Sequence, residues 1–124
     1  TSGSTGRPKG VVVPHGALAN HMAWMARYLT LTPDDRVLAR TSTSFDASVW
    51  ELWLPLMNGA EVCVLPDDAN RDPHALVTWM SRFDVTVAQF VPAHLTLVLA
   101  EAVHAAPLPR LRAVLCGGEP LPRA

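Results

Sequence analysis

The sequence has few charged residues. Of its 124 residues, 17% are charged, against about 25% in an ordinary soluble domain. The charges nearly cancel, since 10 Lys and Arg residues and 11 Asp and Glu residues give a formal net charge of −1. No overall positive field therefore exists to hold a nucleic-acid backbone or an anionic membrane surface. We predict neither partner, and we expect secondary-structure elements that are covered on more than one side.

Cysteine is also scarce. Cys63 and Cys116 each lie in an apolar run, so we expect two buried free thiols and no disulfide. Neither cysteine has a near partner, and His15 and His21 are six residues apart, so no metal-ligand spacing is present. The histidines form no acid-base set either. The sequence predicts no metal site of its own.

Long hydrophobic runs are absent as well. The longest uncharged stretches, residues 11–26 and 85–100, fall short of the roughly 20 apolar residues that a membrane span needs, and both contain proline. The chain begins with Thr1 and has no basic and then apolar leader. We expect a piece of a longer or processed chain, with a cytoplasmic location as the default.

Short apolar runs alternate with helical patterns. Strands are predicted for the β-branched run at 11–13 and for 36–41, 61–65, 85–90 and 112–116. Helices are predicted between them: an apolar face on 18–29, a helix on 47–57, one capped by Asp72 ahead of Pro73, and one opened by Pro92. This alternation predicts an α/β fold with a layered, mostly parallel sheet.

The same periodicity predicts which side chains are buried. The last helix should bury one face, and three tryptophans should be core residues. These side chains are Leu95, Val98, Leu99, Ala102 and Val103 on the helix, and Trp24, Trp53 and Trp79.

The first ten residues, TSGSTGRPKG, combine four hydroxyl side chains, three glycines and a lysine. Glycines let backbone amides approach an oxyanion, hydroxyls donate further hydrogen bonds, and a lysine ammonium attracts phosphate. The alternative is a solvated flexible loop or a cloning linker. The spacing fits neither a Walker loop nor the Gly-x-Gly-x-x-Gly motif. We therefore predict a polyphosphate-binding loop of another kind.

This decapeptide, followed by VVVPH at 11–15, closely resembles the phosphate-binding core motif of the adenylate-forming enzymes, such as acyl-CoA synthetases, luciferases and adenylation domains. FDASVWE at 45–51 resembles a core motif specific to the adenylation domains of nonribosomal peptide synthetases. VAQFVP at 87–92 and LCGGEPL at 115–121 also resemble that family. The resemblance implies that residues 1–124 are an internal part of the large N-terminal subdomain of an AMP-forming adenylation domain.

The resemblance also implies a reaction. Such a domain uses Mg²⁺ and ATP to activate an amino acid, and passes the acyl group to the phosphopantetheine thiol of a downstream peptidyl carrier domain. The matching phosphate contacts are Thr1, Ser2, Gly3, Ser4, Thr5, Gly6 and Lys9. The matching amino-acid pocket is Asp46, Ala47, Trp50, Gln89, Leu115 and Gly117, and the adenine vicinity is Gly117, Gly118 and Glu119. The family's later motifs have no counterpart here, so we expect no complete catalytic set and no activity from this chain alone.

Several of these positions have a second interpretation. Asp46 would pair with a substrate ammonium, but an acid directly before a helix is also a typical N-cap, with Ser48 and Glu51 at capping-box spacing. We take Ser48 and Glu51 as structural. Core packing is the alternative for Trp50 and Leu115, and a tight turn is the alternative for the two glycines at 117 and 118.

Gln89 bears on the choice of substrate. It interrupts an apolar strand, and if buried it needs a hydrogen-bond partner, which a polar substrate could supply. The combination of Asp46, Ala47, Trp50 and Gln89 resembles family members that take glutamine or glutamate, and the lack of a visible cation favours glutamine. The alternatives to amino-acid activation are an acyl- or aryl-acid CoA ligase of the same superfamily, or a non-catalytic scaffold segment.

Overall fold

The computed structural model describes residues 10–66, 68–103 and 107–121. Helices and strands alternate along these residues, which confirms the predicted α/β class. They are α1 (His15–Leu29), β1 (Arg36–Ala39), α2 (Ala47–Met57), β2 (Glu61–Val64), α3 (Pro73–Arg82), β3 (Val87–Phe90), α4 (Pro92–Ala102) and β4 (Ala113–Cys116), with a short 3-10 turn (Ala69–Arg71) before α3.

The predicted strand at 11–13 is wrong. Residues 10–14 have no regular structure, and the three valines are exposed. Valine fits a pleated, half-buried surface, but a strand needs a neighbour that supplies hydrogen bonds and packing. No described strand pairs with this segment.

The four described strands form one sheet in the order β2-β1-β3-β4, and all three pairings are parallel. Gln89 lies opposite Leu115 in the pairing of β3 with β4. Because the strands run the same way, their carboxyl ends meet at one edge of the sheet. In open parallel sheets ligands bind beyond that edge.

Helices cover both faces of the sheet. One core cluster joins Leu38, Met80 and Phe90 with α3 and α4, and the other joins Val37, Val87 and the buried faces of α1 and α2. This two-sided cover accounts for the low charge content. Among the described residues, no helix is both long and apolar enough to cross a membrane.

Burial was predicted less well than the elements themselves. Val98 is buried, but Leu99, Val103, Trp24 and Trp53 are exposed, so those four predictions are wrong. Trp79 packs partly buried against the core. Cys63 is a buried free thiol as expected, whereas Cys116 is exposed because it lies on the outward-facing side of β4, where burial alternates. Helical spacing shows which residues share a face, and it does not show whether another layer covers that face.

Candidate functional site

Two cavities meet at the carboxyl edge of the sheet. The first, which we call the helix groove, has a volume of about 530 Å³ and lies between α1, α2 and the ends of β3 and β4. The second, the strand-end cleft, has a volume of about 320 Å³. Three residues line both cavities: Asp46, Ala47 and Gln89. A ligand with two parts therefore has room for one part in the helix groove and the other in the strand-end cleft, on either side of these three residues.

The predicted pocket residues lie in these two cavities. Trp50 and Leu115 line the helix groove, and Gly117 and Gly118 line the strand-end cleft. Glu119 lines neither cavity, and its carboxylate accepts a hydrogen bond from the backbone N–H of Ala93 at 3.3 Å. The predicted phosphate contacts, Thr1, Ser2, Gly3, Ser4, Thr5, Gly6 and Lys9, lie outside the described residues.

Asp46 directly precedes α2, but its carboxylate does not cap the helix. Its side chain makes no cap hydrogen bond within the part of the chain that the structure describes, and the residue is exposed. Nor does a capping box form, since the Ser48 hydroxyl donates to the carbonyl of Phe45 at 2.7 Å. The Asp46 carboxylate thus remains available at the junction of the two cavities, near the positive end of the α2 dipole.

Gln89 has a hydrogen-bond partner inside the protein. The indole Nε1–H of Trp50 donates to the side-chain oxygen of Gln89 at 2.5 Å. Gln89 needs a partner, as predicted, and for its oxygen that partner is Trp50 and not a substrate; the contact joins residues 39 positions apart and is invisible in the sequence. The amide nitrogen of Gln89 donates to no described group, and it lies 3.9 Å from where a Cβ on Gly117 would lie.

Glu51 has a structural role, as predicted, and a larger one than the spacing indicated. It is only 1% exposed. One of its carboxylate oxygens accepts from the backbone N–H groups of Arg40 at 3.0 Å and Thr41 at 2.8 Å, and the other accepts from the Thr41 hydroxyl at 2.6 Å. Glu51 thereby ties the end of β1 to α2. The only signal in the sequence is a single acid within the apolar helix ASVWELWLPLM.

A second cluster centres on Arg40, which sequence reasoning missed. Its guanidinium donates to the side-chain oxygen of Asn70 at 2.9 Å and to the carbonyl of Gln89 at 3.3 Å, contacts Nδ1 of His94 at 2.5 Å, and lies over the Phe90 ring. Because a guanidinium can only donate, Nδ1 of His94 accepts this bond. Burial and then the Arg40 charge lower the pKa of His94. Burial likewise lowers the pKa of Arg40. The cluster fixes the backbone of Gln89.

Comparison with known proteins identifies the family. The profile described as "AMP-binding enzyme" matches residues 1–124. The chain belongs to this family of AMP-binding enzymes. Tyrocidine synthase 3 of Brevibacillus parabrevis is 44% identical over 121 residues, which are 98% of this chain and 2% of that protein.

Solved structures support the same assignment. The nonribosomal peptide synthetase FmoA3, bound to α-methyl-L-serine-AMP, superposes with a TM-score of 0.85 at 37% identity, over 94% of this chain and 14% of that one. AB3403, a four-domain nonribosomal peptide synthetase bound to AMP and glycine, gives a TM-score of 0.81 at 34% identity, over 91% of this chain and 8% of that one. The resemblance to the adenylation domains of peptide synthetases is confirmed. The chain spans only a small part of each relative.

Proposed function

We propose that residues 1–124 are part of an adenylation domain that activates an amino acid with ATP for nonribosomal peptide synthesis. The observation that carries the proposal is the Asp46 carboxylate, which is exposed, makes no cap bond and lies where two cavities meet. A carboxylate there is the natural partner of an α-ammonium group. The two relatives of known structure, with AMP and glycine in one and an aminoacyl-AMP in the other, support the same interpretation.

In this mechanism the substrate ammonium pairs with Asp46, and the side chain enters the helix groove. The substrate carboxylate then faces the strand-end cleft, where its oxygen attacks the α-phosphate of ATP, forms the acyl–AMP bond and releases pyrophosphate. The thiol of a phosphopantetheine group on a downstream peptidyl carrier domain next attacks the acyl carbon and releases AMP. Positioning and charge stabilisation supply most of such catalysis. We propose a cytoplasmic location for this reaction.

The nucleotide would extend from the strand-end cleft. Gly117, Gly118 and Glu119 lie nearest the proposed adenine, and the hydroxyl-rich loop would hold the phosphates through Thr1, Ser2, Gly3, Ser4, Thr5, Gly6 and Lys9. Within residues 10–66, 68–103 and 107–121, no three His, Cys, Asp or Glu side chains cluster as a metal site. We propose that Mg²⁺ would be held largely by the ATP phosphates, whose charge it neutralises.

We further propose that the amino acid is glutamine, with glutamate second. The helix groove is lined mainly by apolar side chains, among them Leu18, Met22 and Leu115. Gln89 supplies an amide group in this wall, and its oxygen is already paired with Trp50. A glutamine side-chain carbonyl would accept from the remaining Gln89 N–H donors, whereas an aliphatic substrate would leave them unpaired.

The test is amino-acid-dependent pyrophosphate exchange by the full-length protein that contains this chain, profiled over the twenty standard amino acids. Asp46→Asn should lower kcat/KM for the preferred amino acid by about 10-fold to 150-fold, because a hydrogen bond to a charged group is worth about 1.5 to 3 kcal/mol. Asp34→Asn, at another exposed position before a structural element, is the matched control and should have wild-type kinetics. A mutant that keeps its amino-acid KM and loses only thermal stability would contradict the role of Asp46 and favour the CoA-ligase alternative.

A further inference from the structure

We propose that Trp50 is a positioning residue that sets the hydrogen-bonding polarity of the helix groove. By binding the oxygen of the Gln89 amide, Trp50 leaves the NH₂ group as the part that Gln89 offers to a ligand. The groove should therefore select side chains that end in a hydrogen-bond acceptor and reject those that end in an ammonium. This inference rests on the proposed amino-acid-activating function and goes beyond it.

The chemistry of the two side chains decides how they pair. The oxygen and nitrogen of a glutamine amide are nearly the same in size, so their orientation is decided by the hydrogen-bond partners. An indole Nε1–H is a donor and never an acceptor, so it can pair only with the amide oxygen. Trp50 is 4% exposed, and a buried indole N–H requires a partner. The pair thus has one favourable arrangement.

The neighbouring strands and Arg40 also restrict the backbone of Gln89. Its strand is paired on both sides, by β1 and by β4, and its carbonyl accepts from Arg40 at 3.3 Å. Gly117 lies beside the NH₂ group and has no side chain that would cover it. The backbone of Gln89 is therefore held in place, and Trp50 controls the rotation of its terminal amide. Turning the amide over would set donor against donor and leave the indole N–H unpaired.

The test uses variants that change hydrogen-bonding groups and keep shape. Trp50→Phe keeps an aromatic ring and removes the N–H, so the Gln89 amide can turn. The ratio of kcat/KM for glutamine to kcat/KM for lysine in pyrophosphate exchange should then fall by about 5-fold or more, since an unpaired buried donor no longer opposes the turn. Trp53→Phe is the matched control, because Trp53 lies on the same helix and is exposed, and its ratio should equal that of the wild type.

Gln89→Glu provides an independent variant. A carboxylate of the same shape still accepts from Trp50 but has no N–H to donate, so the preference should shift from glutamine toward lysine. An unchanged ratio of glutamine to lysine in either Trp50→Phe or Gln89→Glu would overturn the proposal.

A spectroscopic measurement keeps this inference separate from the proposed function. The ultraviolet resonance Raman difference spectrum of wild type minus Trp50→Phe isolates the hydrogen-bond marker band of this one indole. In a Gln89→Leu background the band should move to the position of a free indole N–H. A band that does not move would show that Gln89 is not the partner and would overturn the inference. If no amino acid supports exchange in the wild type, the proposed function fails, and the band still decides whether Trp50 holds the amide.

Discussion

Replacement of Glu51 should loosen the loop that presents Asp46. The Glu51 carboxylate is buried in α2 and accepts hydrogen bonds from the backbone N–H groups of Arg40 and Thr41 and from the Thr41 hydroxyl, at 2.6 to 3.0 Å. The chain runs from this anchor through residues 42–45 directly to Asp46. Glu51 lines neither the helix groove nor the strand-end cleft, so a change at Glu51 acts on the site indirectly, through this loop.

The expected magnitude follows from the three hydrogen bonds. Glu51→Leu would leave two backbone N–H groups without their acceptor, at about 1 to 3 kcal/mol each. Because the bonds share one carboxylate, their contributions do not simply add, and we expect a total loss of about 3 kcal/mol. Glu51→Gln should cost only about 1 kcal/mol, since its oxygen still accepts from both N–H groups and its NH₂ can donate to the Thr41 hydroxyl.

Hydrogen exchange read by mass spectrometry on the full-length protein measures this effect locally. Peptides that cover residues 40–46 should exchange about 100-fold faster in Glu51→Leu and about 5-fold faster in Glu51→Gln, as the stated energies require. Glu61→Gln is the control, because the Glu61 side chain is 62% exposed in its ion pair with Arg36 and such surface pairs contribute little. Unchanged exchange of 40–46 in Glu51→Leu would refute the reasoning that Glu51 anchors this loop.

Two further predictions concern stability. Asp35→Asn should lower the free energy of unfolding in urea by about 2 kcal/mol, less than the loss of a fully buried pair, since the partner Arg112 is 39% exposed. The hydrogen bonds from Arg112 hold the pKa of Asp35 well below its usual range. This stabilisation is therefore complete above about pH 4 and is lost on further acidification. An equally steep loss of stability in acid for Asp35→Asn would contradict this prediction. Gly118→Ala should cost about 1 kcal/mol in the same assay, because Gly118 has a φ of +85° and the new Cβ would lie 3.4 Å from Val91. Gly117→Ala, where the nearest atom is 3.9 Å away, should be within about 0.5 kcal/mol of wild type, and equal losses in the two variants would contradict the strain argument.

Features that depend on neighbouring residues were predictable from the sequence. The bounds of α2 at 47–57 and the Asp72 cap, which accepts from the N–H of His74 at 3.0 Å, are confirmed. Apolar periodicity, Asn-Gly turns and acid-proline pairs act within a few residues, so a single sequence contains what is needed to locate them. The parallel sheet follows from the same alternation, because parallel strands need helical crossovers.

Features that depend on contacts between distant residues were not predictable in the same way. The Trp50–Gln89 bond spans 39 positions, and the Arg40–His94 contact spans 54. Trp50 and Gln89 were predicted to line a pocket, but nothing in their own segments showed that they bind each other. The burial errors at Leu99 and Trp53 have a related cause, since both lie on sides of their helices that no described element covers.

Asp46 and Asp72 show where local reasoning stops being sufficient. Both are acids directly before a helix, and the sequence predicts a cap at each. Asp72 has the extended backbone that an N-cap requires, with φ −110° and ψ 111°, and its side chain turns back to the helix N–H groups. Asp46 has φ −60° and ψ −32°, because the turn that begins at Ser42 and passes through Phe45 brings it into α2 already in a helical conformation. Its carboxylate makes no hydrogen bond to the N–H groups of its own helix, and this backbone difference leaves Asp46 available to a ligand where Asp72 is not.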